Sequence, residues 1–187
     1  LVASSKSSGK KINFLGKEHT VEDLEKFDFS KVKIAFFAAG SAVAEKWAPI
    51  AANKTIVIDN SKFFRKDSDI PLIVPEVNSK ELPKFKNKNI IANANCSVIP
   101  IVVALKPLHD LYNVKRIVAS TYQSVSGAGK AGMDELISQT KEVLENKNVK
   151  SKNFTKQIAF NAIPHIDSFL ENGSTKAVSY THLTLPT

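Results

Sequence analysis

Apolar positions along this chain alternate between two spacings. Short unbroken apolar runs read as buried strands, and recurrences every three or four residues read as helices. Residues 1–3 read as the end of a strand, followed by a Ser/Lys/Gly loop through Lys10. Residues 12–15 fit a further short strand. "VKIAFFAAG" (32–40) is a buried strand that ends at glycine. "SAVAEKWAPIAAN" (41–53) has a serine at the cap position and an alanine-rich helical pattern, interrupted at Pro49. "TIVIDN" (55–60) is a strand rich in β-branched residues. "IPLIVPEVN" (70–78) is extended, with a proline near each end, and "NIIANA" (89–94) is another strand. Val98, Ile101, Val102, Leu105, Leu108 and Leu111 then recur at helical spacing. Pro100 falls in the first turn of that helix, where its missing N–H costs little. Residues 114–125 read as a long strand, 126–129 as a turn, 130–147 as an amphipathic helix and 158–167 as an extended segment.

Strand, helix and strand alternate through the first half, which predicts a parallel sheet with helices on its faces. The later stretch looks like the start of a second, α+β region, with the boundary at Cys96. "VSYTHLTLPT" (178–187) continues none of these patterns. It reads as one frame of a transposon-derived sequencing adapter, so residues 177–187 are set aside as a non-native tail in preference to a natural strand. Tyr180 and His182 are excluded from any functional role with it.

Composition narrows the classes. Hydrophobic residues make up 43% and charged residues 24%, the balance of a soluble globular protein. No apolar run is long enough to predict a membrane span, and residues 1–11 lack the apolar core of a signal peptide. One cysteine cannot build a disulfide framework or a thiolate metal cluster, and a reducing, cytoplasmic setting is expected. The net charge of +8 is spread along the chain as lysine. It forms no basic cluster interleaved with aromatics, so small anionic ligands are expected rather than nucleic acid. The histidines show no metal spacing, and no metal is expected.

Cys96 is the strongest chemical candidate. A lone cysteine is more often inert core than nucleophile. This one falls where an apolar strand turns into a helix, in the first helical turn. There the positive end of the dipole and the unpaired N–H groups favour a thiolate, and the same groups can receive an oxyanion. Asn93 and Asn95 add amide donors on its strand side. "STYQSVSGAGK" (120–130) is a strand, a small-residue turn and a helix start, which offers backbone N–H groups to an anion, although glycine turns before helices are common. "ASSKSSGKK" (3–11) suits a phosphate monoester such as the 2′-phosphate of NADP, or is merely a solvated loop. Arg65, in a lysine-dominated chain, offers a planar fork for phosphate or carboxylate. His165 in "IPHID" is a conceivable base for Cys96 but reads as structural.

Taken in order, "LVASSKSSGK", "FFAAGSAVAEKWAPIA", "IDNSKFFRKDSDIPLIVPEVN", "IIANANCSVIPIVVALKPL", "RIVASTYQSVSGAGKAGMDEL" and "IAFNAIPHID" resemble the aspartate-semialdehyde dehydrogenase family across nearly all of residues 1–176. The resemblance implies an α/β chain: a remnant of a Rossmann-type NADP-binding domain (1–95), then the N-terminal part of an α+β catalytic and dimerisation domain (96–176). It implies that Cys96 is the nucleophile that forms an acyl-thioester. Asn95 would help hold the reacting carbonyl, Gln123 would position substrate and Arg65 would bind phosphate. Lys6 and Ser7 would contact the cofactor's 2′-phosphate, lysine standing where the family has arginine. Gly40, Ser41, Ser126 and Gly127 would lie in cofactor-contacting turns. Ala94, often proline in the family, and Ala38, often serine, depart from the pattern without removing a reacting group.

The implied reaction is NADPH-dependent reduction of L-aspartyl-4-phosphate to L-aspartate-4-semialdehyde with release of phosphate. It serves synthesis of lysine, threonine, methionine and diaminopimelate. The implied assembly is a homodimer or dimer of dimers. The family's first strand and Gly-rich loop would precede residue 1, and its catalytic histidine and substrate-binding arginine would follow Lys176. The fragment by itself is therefore expected to be inactive and poorly folded. Two rivals remain at this stage. N-acetyl-glutamyl-phosphate reductase usually has tyrosine and proline after the cysteine, where Ser97 and Val98 stand here. A non-catalytic nucleotide-binding protein would carry Cys96 as an inert thiol.

Overall fold

The structure, a computed structural model, describes residues 1–164 and Glu171. His165, the last residues of the extended segment and the tail at 177–187 lie outside that range. The chain divides into two compact units, Leu1–Lys115 and Arg116–Thr187.

The first unit is built on a four-stranded, wholly parallel sheet. Its strands are β5 (Ile34–Phe37), β6 (Ile56–Asp59), β7 (Leu72–Ile73) and β8 (Ile90–Asn93), in spatial order β5-β6-β8-β7. β6 and β8 are central, and the apolar runs that predicted them put Val57, Ile90 and Ala92 at 0–3% exposure. Helix α1 (Ser41–Ala52) crosses from β5 to β6 and lays Ala44, Ala48, Ala51 and Ala52 on the sheet. Small side chains let the helix come close, and Phe29, Phe37 and Phe64 fill the remaining core. This is the expected α/β, Rossmann-like arrangement.

Before the sheet, β1 (Val2–Ala3) pairs in parallel with β4 (Glu22–Asp23). β2 (Lys11–Phe14) and β3 (Lys17–Thr20) form an antiparallel hairpin. Its two turn residues, Leu15 and Gly16, have φ of 51° and 75°, the left-handed pair of a type I′ turn. Leucine is ill suited there and is almost fully exposed. Leu15→Asn is expected to stabilise the protein by about 1 kcal/mol, read as a higher denaturant midpoint with an unchanged slope.

Several local expectations are corrected. Pro49 does not interrupt α1, which runs on to Ala52. Proline removes the bond to the Glu45 carbonyl, but both residues are on the solvent face, where water can satisfy it. Ser41 is not the cap: Gly40 is, and Ser41 is the first helical residue. Only Leu72–Ile73 of the segment 70–78 is strand. Pro75–Asn78 is a short helix, α2, opened by proline, and the Asn78 side chain closes it against Leu72 O and Val74 N, both at 2.9 Å. Helix α3 (Val98–Tyr112) ends at Asn113, whose φ is 52° and whose N–H donates to His109 O at 2.8 Å.

In the second unit, the helix expected over 130–147 forms as α4 (Gly129–Leu144), but its buried positions are Gly132, Glu135 and Gln139, and Ile137 and Leu144 are exposed. The long strand expected at 114–125 is not formed: no ladder involves it among the described residues, and Val118 and Tyr122 are exposed. A β-rich sequence becomes a strand only against a partner strand, and the apolar pattern cannot supply one. The segment from 158 contains a turn, closed by Asn161 N to Ile158 O at 3.2 Å, in place of a continuous extension.

Candidate functional site

In an open parallel sheet, the loops that follow the carboxyl ends of the strands line the ligand crevice. Here the pairings Phe37 with Asp59, Asp59 with Ala92 and Ile73 with Asn93 bring the four strand ends to one edge. Gly40, the 60–65 loop and Cys96 follow those ends directly.

Asp59 closes β6 and is completely buried. Its carboxylate accepts from Ser61 N at 2.9 Å and Ser61 Oγ at 2.7 Å, and Ser61 Oγ accepts from Phe63 N at 3.1 Å. Burying a carboxylate is tolerated when its lone pairs are filled in this way. The turn so fixed leads to Arg65 in a 3-10 turn, Phe64–Lys66. Arg65 Nε donates to Asn93 O at 2.8 Å, and Nη2 donates to Asn60 O at 3.2 Å. The guanidinium is thereby tied to a carbonyl three residues before Cys96. Bonds of this charged kind contribute about 1.5–3 kcal/mol each, against about 0–1 for exposed ion pairs such as Lys11–Glu18.

β8 leaves the sheet at Asn93, and Ala94 is buried behind it. Asn95 then organises the helix start. Its Oδ1 accepts from Ser97 N at 2.9 Å and Ser97 Oγ at 2.7 Å, and its carbonyl accepts from Val98 N at 3.0 Å and Ile99 N at 3.1 Å. Cys96 is exposed, with Sγ 3.8 Å from Asn95 Oδ1. Two expectations change here. Cys96 lies in the turn before α3, not in its first turn, and the amides of Ser97, Val98 and Ile99 are engaged by Asn95. Among the described residues beside Cys96, the Asn95 carboxamide nitrogen and the cysteine's own N–H remain to steady an oxyanion.

Gly40 has φ of 92°, a conformation that favours glycine, and a Cβ there would meet nothing within 4 Å. Lys6 and Ser7 sit in a 3-10 turn just beyond β1, with Lys6 exposed and Ser7 half-buried. Such turns and an open glycine fit the phosphates and ribose of a dinucleotide.

The remaining residues singled out in the sequence belong to the second unit. Gln123 is exposed and accepts from Thr121 Oγ1 at 3.2 Å. Ser124 Oγ accepts from Ser126 N at 3.2 Å, and Gly127 N donates to Ser124 O at 3.3 Å, forming a serine turn ahead of α4. Gly132 is needed for packing: a Cβ there would come within 2.8 Å of the Ala128 Cβ. In the first unit the structure ties Arg65 to Asn93, at the end of the strand that leads into Asn95 and Cys96, and in the second Gln123, Ser126 and Gly127 lie along one stretch of chain. Among the described residues no cluster of side chains could hold a metal ion, and no helix is long and apolar enough to cross a membrane.

Residues 1–85 match the semialdehyde dehydrogenase NAD-binding domain, and 105–179 match the semialdehyde dehydrogenase dimerisation domain. The chain belongs to the semialdehyde dehydrogenase family. Cys96 falls in the stretch between the two matches. Aspartate-semialdehyde dehydrogenase 2 of Vibrio cholerae is 54% identical over 94% of this chain and 52% of its own length. The Aquifex aeolicus aspartate-semialdehyde dehydrogenase is 51% identical over 94% of this chain and 53% of its own length. The crystal structure of the Vibrio cholerae enzyme II complexed with ASA superposes with a TM-score of 0.90 at 53% identity, covering 94% of this chain and 52% of that one. The chain thus spans about half the length of these relatives. The NAD-binding match supports a nicotinamide dinucleotide as cofactor.

Sequence reasoning did not find Asn60 or Asp59. The signal available was a carboxylate closing the β-branched run "TIVIDN", since a charged residue at the end of a buried strand needs partners that a loop must supply.

Proposed function

We propose that the full-length protein reduces L-aspartyl-4-phosphate to L-aspartate-4-semialdehyde, with Cys96 as nucleophile and NADPH as reductant. The observation that carries this reading is the Arg65 guanidinium bonded to Asn93 O beside an exposed cysteine. In this reading the guanidinium serves as the phosphate-binding group and the sulfur as the nucleophile, both following one sheet edge, and the relatives are named aspartate-semialdehyde dehydrogenase. The Cys96 sulfur attacks the acyl carbon, the C–O bond to phosphate breaks, and Arg65 receives the departing dianion. With Asn95 Oδ1 held by Ser97, its Nδ2 is the end that donates to the reacting oxygen. When bound, the dinucleotide supplies the hydride. The Cys96 sulfur then leaves as the aldehyde forms.

Gly40, Ser41, Ser126 and Gly127 contact the dinucleotide in this reading, and Gln123 orients the substrate. Lys6 and Ser7 select NADP by meeting the 2′-phosphate, lysine as a point charge. Residues 1–95 serve the cofactor and 96–176 open the catalytic domain. The protein works in the cytoplasm as a homodimer or dimer of dimers, in keeping with the dimerisation match.

The test is mass spectrometry of the full-length enzyme quenched with aspartyl phosphate in the absence of cofactor. An acyl adduct on the peptide containing Cys96 is expected, and its persistent absence would remove the reading. In the phosphate-dependent oxidative direction, Arg65→Ala is expected to raise the KM for phosphate about ten- to a hundredfold, as loss of a charged bond predicts.

A further inference from the structure

We propose that Asn60 is a positioning residue that fixes the Arg65 guanidinium against the cysteine loop before phosphate arrives. The proposal rests on the roles given above to Arg65 and Cys96. Asn60 uses three groups in three directions. Its N–H donates to Phe37 O at the end of β5, at 2.9 Å. Its carbonyl accepts from Arg65 Nη2 at 3.2 Å, and its Oδ1 accepts from Asn93 Nδ2 at 2.7 Å. Asn93 O accepts in turn from Arg65 Nε at 2.8 Å. Asn60, Asn93 and Arg65 thus form a closed ring of three hydrogen bonds between residues 33 apart in sequence. The buried Asp59–Ser61 pair anchors this ring from below.

An unrestrained arginine side chain has many rotamers, and a ligand that ordered it on binding would lose affinity by that amount. The ring orders the guanidinium in advance and sets its distance from the β8 loop. Asn60 itself is exposed, so truncating its side chain opens the ring without leaving a cavity in the core. Because the main-chain bonds to Phe37 and Arg65 survive truncation, the effect falls on the link to Asn93 alone.

The full-length enzyme is assayed in the oxidative direction with inorganic phosphate varied. Asn60→Ala is expected to raise the KM for phosphate about five- to tenfold, the loss of one hydrogen bond, with the KM values for aldehyde and cofactor within about twofold of the parent. Asn93→Ala breaks the same bond from the other side and is expected to match it. Adding Asn60→Ala to Arg65→Ala should change nothing further, because the ring then has nothing to hold. If Arg65→Ala raises the phosphate KM and Asn60→Ala does not, the proposal is overturned. An equal rise for all three ligands overturns it too, since that marks a merely structural role. If Arg65→Ala leaves phosphate binding untouched, the assignment of Arg65 itself falls, and the positioning role with it.

Discussion

Cys96→Ser in the full-length enzyme is expected to lower kcat by about 10⁴-fold or more, the scale seen when a covalent nucleophile is removed. The cysteine is exposed, and among the described residues its sulfur's hydrogen-bond contact is the 3.8 Å one to Asn95, so the exchange is expected to disturb little packing. Asn95 bonds Ser97, Val98 and Ile99 through its own atoms and keeps the helix start intact without the sulfur. Folding and dinucleotide binding should therefore be preserved, which a melt and quenching of nicotinamide fluorescence would check. The chemical reason for the loss is twofold. A serine hydroxyl is a poor nucleophile without a strong base, and an oxygen ester accepts hydride and expels its alkoxide less readily than a thioester expels thiolate. Retention of more than about 1% of the parent kcat would rule out covalent catalysis at this position, because residual catalysis from binding alone should lie well below that.

The parts of this picture that were legible in the sequence are those set by local pattern. Apolar runs at β5, β6 and β8 located the sheet, and alanine spacing located the face of α1 that meets it. Cys96 stood out because a strand passes into a helix beside it. What could not be read depends on atoms far apart in the chain. The amides expected to serve an oxyanion are engaged by Asn95, since an asparagine just before a helix can bond forward with both its side chain and its carbonyl. The 114–125 segment has the composition of a strand, but pairing is a property of two segments, and composition describes one. Asn60 looked like a strand terminus; its importance comes from Asn93 and Arg65, which reach it only in the folded sheet. The same limit applies to α4, whose buried face carries Glu135 and Gln139 while Ile137 and Leu144 are exposed.

That inverted face supports the second large prediction. Glu135 is buried and accepts from Lys152 N at 2.9 Å, Asn153 N at 2.6 Å, Asn153 Nδ2 at 2.7 Å and Gln139 Nε2 at 2.9 Å. Gln139, 1% exposed, accepts in turn from Ile158 N at 2.8 Å and Ala159 N at 3.2 Å. Two side chains one helical turn apart thus hold the chain from 150 to 159 against α4, in place of an apolar core. Glu135→Ala would remove the acceptor of the Lys152 and Asn153 amides and leave Gln139 Nε2 and Asn153 Nδ2 only longer bonds, to Lys150 O and Ser151 Oγ at 3.4 Å and to Ala131 O at 3.3 Å. It is expected to cost about 3–4 kcal/mol, more than a typical single substitution. The loss should appear as faster amide exchange at 152–159 and, in the intact enzyme, a lower melting temperature. Burial on its own pushes the Glu135 carboxyl up, but hydrogen bonds from Lys152, Asn153 and Phe154 together outweigh it and hold the group below the usual carboxylate range. A depressed carboxyl adds stability that is fully present above the unfolded glutamate value, about 4.3, and is lost as pH falls through the lower folded value. The parent should therefore lose protection at 152–159 on acidification below about pH 4, and Glu135→Ala, already lacking the carboxylate, should show a shallower acid dependence there. Parallel acid profiles for the two proteins would mean that some other group holds the segment.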